Sequence, residues 1–524
     1  MKLETGSHDI AVAHDETADA QDHAESRDGV ASRRFFLFGA LAAVGLRPAR
    51  ATAQGRKRPA PPQRRFQTIA QSEVPGAPAA WTDKHARLLR RASYGPTQSD
   101  LALVKSVGYQ AWLQRQLKYT RIDDSAVESL VAQRYPDLSK TGEDLYALSS
   151  GTLEAELQQA TIFRAAFSQR QLYQRMVEFW SDHFNIDYAK VGYLKLLDDR
   201  DVIRKHALGR FGDLVKASAK SAAMLAYLDQ AGSRVGRPNE NYARELMELH
   251  TLGVDGGYTQ TDVAELARVL TGWTITGRGV FSFNPALHDW GAKTVMGLTI
   301  PAGNSSMGQD GVKEGERVID MLLAHPNTAR FIATKMIRWL VNSEPTETQI
   351  RTVSAVYRST GGDIAAMVRA TLNEQWIANA PARYKRPFHF LVSSLRAMNP
   401  TVLSTDPVNR QLAVLGQTLF EWDTPDGYPD RIEYWAGNIT TRWQFANTLA
   451  NYKSTATITL DHTPYLTAGA DGAIELLNKN VFAGELSPAT RTALRTYLGG
   501  GTLNETRVRE TIGLAIASSD FQWY

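Results

Sequence analysis

From residue 82 onward, apolar positions recur every three or four residues, the spacing that gathers them on one side of a helix. Leu88, Leu89 and Ala92 open the pattern, Tyr94-Gly95-Pro96 interrupts it, and Thr97 is placed to cap the next helix. The pattern continues over 99–107 and 109–118, on either side of Gly108. It weakens over 121–155, where loops are expected, and is strongest over 156–187. Two or three further helices are expected over 190–229. A loop rich in Gly, Ser, Arg and Pro follows at 231–239, then helices near 240–251 and 260–271.

Residues 273–312 break the rhythm. They are rich in Gly, Asn, Thr and Phe without a 3.6-residue repeat, which predicts a long ordered loop with a short hairpin near 294–300. Such loops tend to carry binding groups. Helices resume near 314–324, 328–341, 345–358, 363–373 and 387–397. Residues 398–440 read as loop-rich, with Pro425, Gly427 and Pro429 close together, and helices return near 441–450, 471–478, 487–498 and 503–518. The expected fold is mainly α: a large multi-helix domain over 82–524, single or in two helical lobes, with long ordered loops and little β structure.

The first 53 residues follow another logic. Ser32-Arg33-Arg34-Phe35-Phe36-Leu37 leads into an apolar run ending at Leu46, then into small residues at Ala49, Ala51 and Ala53. A charged region, a short apolar region and a small-residue cleavage site make a secretory leader, and the paired arginines resemble the twin-arginine type. The run is too short to stay in a bilayer as a helix. Cleavage is expected after Ala53, with Ala51 the alternative. Residues 54–81, rich in Pro, Ala, Gln and Arg, read as a linker. The expected location is therefore periplasmic or secreted, without a retained transmembrane segment.

Composition narrows the chemistry. The 524 residues include no cysteine, which excludes disulfides, thiolate metal sites and cysteine nucleophiles. A net charge of +4, with no basic arm or zinc-finger spacing, argues against nucleic acid as partner. There is no phosphate-binding glycine loop, dinucleotide fingerprint or nucleophile elbow. No cofactor is named by the sequence; flavin and nicotinamide are disfavoured, and a divalent cation and histidine-ligated haem stay open.

Three groups of polar residues could carry chemistry. In Phe179-Trp180-Ser181-Asp182-His183-Phe184-Asn185, Glu178, Asp182 and Asn185 share a helical face. Asp182 and His183 could act as acid, base or metal ligands, or serve an aromatic core with a hydrogen-bonded histidine. In the second, Asn239 to His250, Asn241, Glu245 and Glu248 line one side and Arg244 lies beside them. Glu245 and Glu248, three apart, could share a hard cation or hold an arginine, and Asn241 and Arg244 could bind substrate. Surface ion pairing is the plainer alternative. The third is His288-Asp289-Trp290-Gly291-Ala292-Lys293 on the long loop, with His288 and Asp289 as catalytic candidates and Trp290 and Lys293 as substrate-binding ones, or a solvated turn. Isolated buried charges each need a partner. At least two of the groups are therefore expected to meet in one cleft with Glu245 central.

These segments also resemble a known family. The run from Asn239 to Trp273, including Tyr242, Arg244, Glu245, His250, the Gly256-Gly257-Tyr258-Thr259 turn, Arg268 and Thr271-Gly272-Trp273, is similar to the bacterial family called domain of unknown function 1800. Arg90 to Thr97, Phe179 to Asn185, His288-Asp289, His325 to Ala329 and Ser519 to Gln522 fit as well, so the likeness spans about Asp83 to Phe521. One departure is His389, where the family commonly has an acidic residue. The resemblance implies an exported bacterial protein with no settled reaction. It also implies an association with a co-exported protein similar to phosphatases and sulfatases.

Two functions stay open on this basis. One is an exported hydrolase, metal-assisted or not, acting on a glycan or other envelope material. The other is a non-catalytic helical scaffold or accessory partner for a co-exported enzyme.

Overall fold

The structure, a computed structural model, describes residues 81–524. The arginine-pair leader, its cleavage point and the linker up to residue 80 lie outside the described residues. Within them the chain is mainly α. Strands occur as three two-stranded antiparallel pairs. The hairpin expected near 294–300 is present as Lys293–Val295 paired with Leu298–Ile300. The loop before it was read as irregular, yet it holds a second hairpin, Trp273–Thr276 with Val280–Phe283. Gly277 and Gly279 both take positive φ and make that turn.

Two large hydrophobic cores organise the helices. The first gathers Leu89, Trp112, Trp180, Phe211, Leu246, Trp273 and Ile337. The second gathers Leu157, Phe163, Phe390, Leu395, Phe445, Leu477 and Ile512. Each fully buried side chain of this kind stabilises the fold by roughly 1.5–3 kcal/mol relative to exposure. A small aromatic cluster around Tyr384, Tyr428 and Trp435 stands beside them.

The helical run expected over 156–187 is two helices, Ser150–Phe167 and Gln171–His183. The break has local causes. Asp124 accepts from Ser168 Oγ at 2.6 Å and from Gln169 N at 2.8 Å, while Gln171 Nε2 donates to the carbonyls of Ala165 and Ser168. These bonds satisfy groups a continuous helix would have used and let the second helix set off in a new direction. The preceding 121–155 segment, expected to be mixed with loops, is largely helical, with Ser125–Arg134 and Gly142–Tyr146 leading into Ser150–Phe167. Its weak periodicity follows from how few positions it buries: Val127 and Val131 in Ser125–Arg134 and Leu145 in Gly142–Tyr146.

The second polar group sits on the helix Glu240–Glu248. Asn239 caps it, its side chain accepting from Asn241 N and Tyr242 N. The helix ends in widened turns, with His250 N bonding Glu245 O and Leu252 N bonding Met247 O. That widening swings His250 into the first core, where it is 1% exposed.

Candidate functional site

The Gln171–His183 helix sets Leu172, Met176, Phe179 and Trp180 into the first core. Its Glu178 and Asp182, one turn apart, point to one place. Arg386, just before the Pro387–Met398 helix, donates to both: Nη2 to Glu178 Oε1 at 3.0 Å and Nη1 to Asp182 Oδ2 at 2.8 Å. Glu178 also pairs with Arg175 at 3.0 Å and accepts from Tyr94 OH at 2.8 Å. Burial pushes the Asp182 carboxyl up to about 6; Arg386 pulls it down and Glu178 pushes it further up.

His183 points away from this pair, into an aromatic shell of Trp180, Phe184 and Phe211. Its Nε2 lies 3.2 Å from His250 O, and its Nδ1 has no partner among the described residues. Burial holds its pKa well below the usual imidazole range, and that of His250 at about 3, so both rings are neutral.

Two charges that the sequence did not single out, Lys335 and Asp426, act on the first and second polar groups. Lys335, on the helix Pro326–Leu340, is lowered to about 8 by burial, against the favourable fields of Asp182 and Asp426. Glu245 is raised to about 7 by burial, then by Glu248, with a smaller push from Asp426. Asp426 belongs to the loop 422–430, which passes so close to the Gln171–His183 helix that a Cβ at Gly427 would stand 2.2 Å from Asp182 O. Gly427 has φ of 76°, so both space and backbone conformation require glycine there. The loop thus lies against Asp182, and its Asp426 acts electrostatically on Glu245 and Lys335, but neither Glu245 nor Lys335 lines the cleft beside Asp182.

The rest of the second group faces outward. Asn241 is exposed, and Arg244 bonds Gln260 Oε1 at 2.7 Å and sits 3.9 Å from Glu240. This corrects the picture of Arg244 orienting a group inside the cleft: its guanidinium belongs to a surface ring with Glu240 and Gln260. Glu248 accepts from Tyr258 OH at 3.3 Å. Glu245 and Glu248 remain a pair of carboxylates, and no set of three or more His, Asp or Glu side chains is arranged to hold a metal among the described residues.

The third group builds a separate network. His288 is 2% exposed, with Nδ1 2.7 Å from Thr271 O and Nε2 3.2 Å from Glu314. Lys293, equally buried, pairs with the same Glu314 at 2.7 Å. Asp289 is clamped by Arg268 Nε at 2.8 Å, and Trp290 Nε1 donates to Pro285 O. Arg268 and one backbone N–H hold Asp289 below the usual carboxylate range. These partners tie the long loop to the helices Gln260–Val269 and Val312–Ala324. The loop read as a solvated or binding segment is thus pinned by buried ion pairs, and Lys293 is not free to meet a substrate.

A cavity of about 40 Å³, inside a cleft of about 530 Å³ counted to its mouth, opens beside Asp182. Glu178, Asp182, Arg386, Asn185, Gln417 and Tyr428 line it together with Asp199 and Arg204. Asp199–Arg204 is a π-helical turn, which widens the spacing and lets Arg204 Nε reach Asp199 Oδ2 at 2.6 Å. Asp199 Oδ1, Arg204 Nη2 and Thr161 Oγ1 are buried at this cavity without a partner among the described residues. Such atoms are expected to meet water or a polar ligand. The signal for Glu178 was its four-residue spacing from Asp182. Lys335 had one as well, a lysine in the apolar frame of Ile332, Ala333, Met336 and Ile337. The π-turn left no mark in the apolar periodicity.

The family described as protein of unknown function DUF1800 matches residues 87–523. The chain belongs to this family. The match covers both cores and every element of the site. No curated protein and no solved structure matches the chain.

Proposed function

We propose that this family member is an exported acid–base hydrolase acting on a glycan or related envelope polymer, with its site at the Asp182 cleft. One observation carries the reading. Asp182 lines the cleft, and it, Glu245 and Lys335 are all drawn towards neutrality by burial, to about 6, 7 and 8, with Asp426 of the neighbouring loop acting on the latter two. Groups poised near neutrality in and around a cleft are what proton transfer requires, and keeping them there costs stability. In this reading Glu245, protonated below about pH 7, is the general acid. Asp182, ionised above about pH 6 and oriented by Arg386, is the general base for a water in the cavity. The π-turn pair Asp199 and Arg204 supplies polar contacts to substrate hydroxyls. The paired carboxyls accord with glycoside chemistry. The leader sequence supports delivery by the twin-arginine route to the periplasm or beyond, where such polymers lie.

A second reading, an accessory scaffold for a co-exported phosphatase- or sulfatase-like protein, is favoured by one feature: Glu178, Asp182 and Arg386 satisfy one another. The two separate in one experiment. The mature protein is incubated with isolated envelope polymers and new reducing ends are counted, alongside Glu245→Gln and Asp182→Asn. Release by the wild type that both substitutions abolish supports the hydrolase. No release from any polymer, together with retention of a co-exported protein on the immobilised wild type and both variants, supports the scaffold.

A further inference from the structure

Away from this cleft, a second cavity of about 20 Å³ lies between the helices Lys84–Ala92, Pro387–Met398 and Ser519–Gln522. It has room for one small molecule. Lys385 lines it. The side chain is 4% exposed, and Nζ rests 3.4 Å from the centroid of the Phe521 ring. Among the described residues Nζ has neither a hydrogen-bond acceptor nor a carboxylate partner.

Its neighbours make the position stranger. Arg90 lines the same cavity and is paired with Glu485 at 2.5 Å. Arg442 is fully buried: Nη2 donates to Lys385 O at 2.6 Å and Nη1 to Gln522 Oε1 at 3.0 Å. Arg442 has no carboxylate partner among the described residues, and its Nε is unbonded. Asp520 also lines the cavity, its Oδ2 accepting from Ser487 N at 2.9 Å, and Tyr524 closes one wall. A buried guanidinium with no anion is costly. Arg442, bonded to the Lys385 carbonyl just outside the cavity lining, carries a positive charge that no carboxylate among the described residues answers.

We propose that Lys385 reacts with carbon dioxide and is carried as its carbamate, the new anion answering the unpaired charge of Arg442. The amine lone pair forms an N–C bond to the carbon of CO2, one C=O π pair moves onto oxygen, and one N–H proton leaves to solvent. One amine and one CO2 give one carbamate and one proton, with no oxidant or reductant. The reaction needs a neutral amine. Burial, followed by the fields of Arg90 and Arg442, holds this one well below the usual lysine range. The same two cations that disfavour the ammonium favour the carbamate.

The test equilibrates the folded mature protein with 13C-bicarbonate at pH 8, traps carbamates by O-ethylation, and maps adducts by peptide mass spectrometry. Exposed lysines, with pKa about 10.4, are nearly all charged at that pH, so Lys385 is expected to carry at least about tenfold more label than any of them. Unfolding in urea before trapping should erase that excess. The melting temperature should rise in bicarbonate relative to chloride at equal ionic strength, and Arg442→Gln should reduce the label at Lys385. Label spread evenly over lysines, or none at Lys385 while the terminal amine is labelled, would overturn the proposal. Reaction of Lys385 with an amine-specific reagent but not with CO2 would overturn it equally.

Discussion

Replacing Asp182 by Asn separates a functional carboxylate from a structural one. The side chain is 20% exposed and its folded pKa is about 6, against 3.8 when free in solution. That rise corresponds to about 3 kcal/mol of folding free energy as an upper figure. The sign follows from its direction. A carboxyl raised by folding contributes its stability fully below about pH 3.8 and loses it as pH rises through about 6. At pH 8 the ionised Asp182 therefore weighs against the fold, the Arg386 ion pair included. Asn keeps the size and an acceptor for Arg386 without the charge. Asp182→Asn should be more stable than the wild type at pH 8, by about 1–3 kcal/mol, and indistinguishable near pH 3.5. Urea denaturation followed by circular dichroism at the two pH values measures this directly. A variant less stable than the wild type by about 1 kcal/mol or more at pH 8 would mean that the Asp182–Arg386 pair is a net structural bond. The argument for a strained, functional carboxylate would then fail.

Three further outcomes follow from other parts of the molecule. Gly427→Ala should displace the 422–430 loop from Asp182, since its Cβ would meet Asp182 O; a lowered melting temperature with loss of turnover is expected, and an unchanged crystal structure would refute the contact. Lys335→Met should stabilise the protein at pH 6 and make no difference above about pH 10.5, because a lysine depressed to about 8 loses stability as pH falls through that value. Thermal melts at the two pH values check it. Changing Arg33 and Arg34 together to Lys should leave the protein in the cytoplasm on cell fractionation; undiminished export would remove the twin-arginine reading.

The fold class was legible because helical periodicity is a local property, and buried positions such as Leu88, Leu89, Val263 and Leu266 declare themselves in sequence. The break between Ser150–Phe167 and Gln171–His183 was not, because Asp124, more than forty residues earlier, makes it. The site was half legible. Asp182 and Glu245 stood out as carboxylates in apolar frames. Arg386, Lys335 and Asp426 reach them from distant segments, and the π-turn at Asp199–Arg204 depends on a backbone shift that no side-chain pattern records. His288, Asp289 and Lys293 misled for the opposite reason. They looked unpaired in sequence, yet Glu314 and Arg268 satisfy them from neighbouring helices.

The central claim is that Asp182 and Glu245 move protons in one reaction, and the pH profile of envelope-polymer cleavage tests it most directly. With a base of pKa about 6 and an acid of pKa about 7, the rate should be bell-shaped with its maximum between those values. Asp182→Asn and Glu245→Gln should each lower the rate by at least about a hundredfold. Cleavage that is flat with pH, or that persists at wild-type rate in either folded variant, would contradict the account.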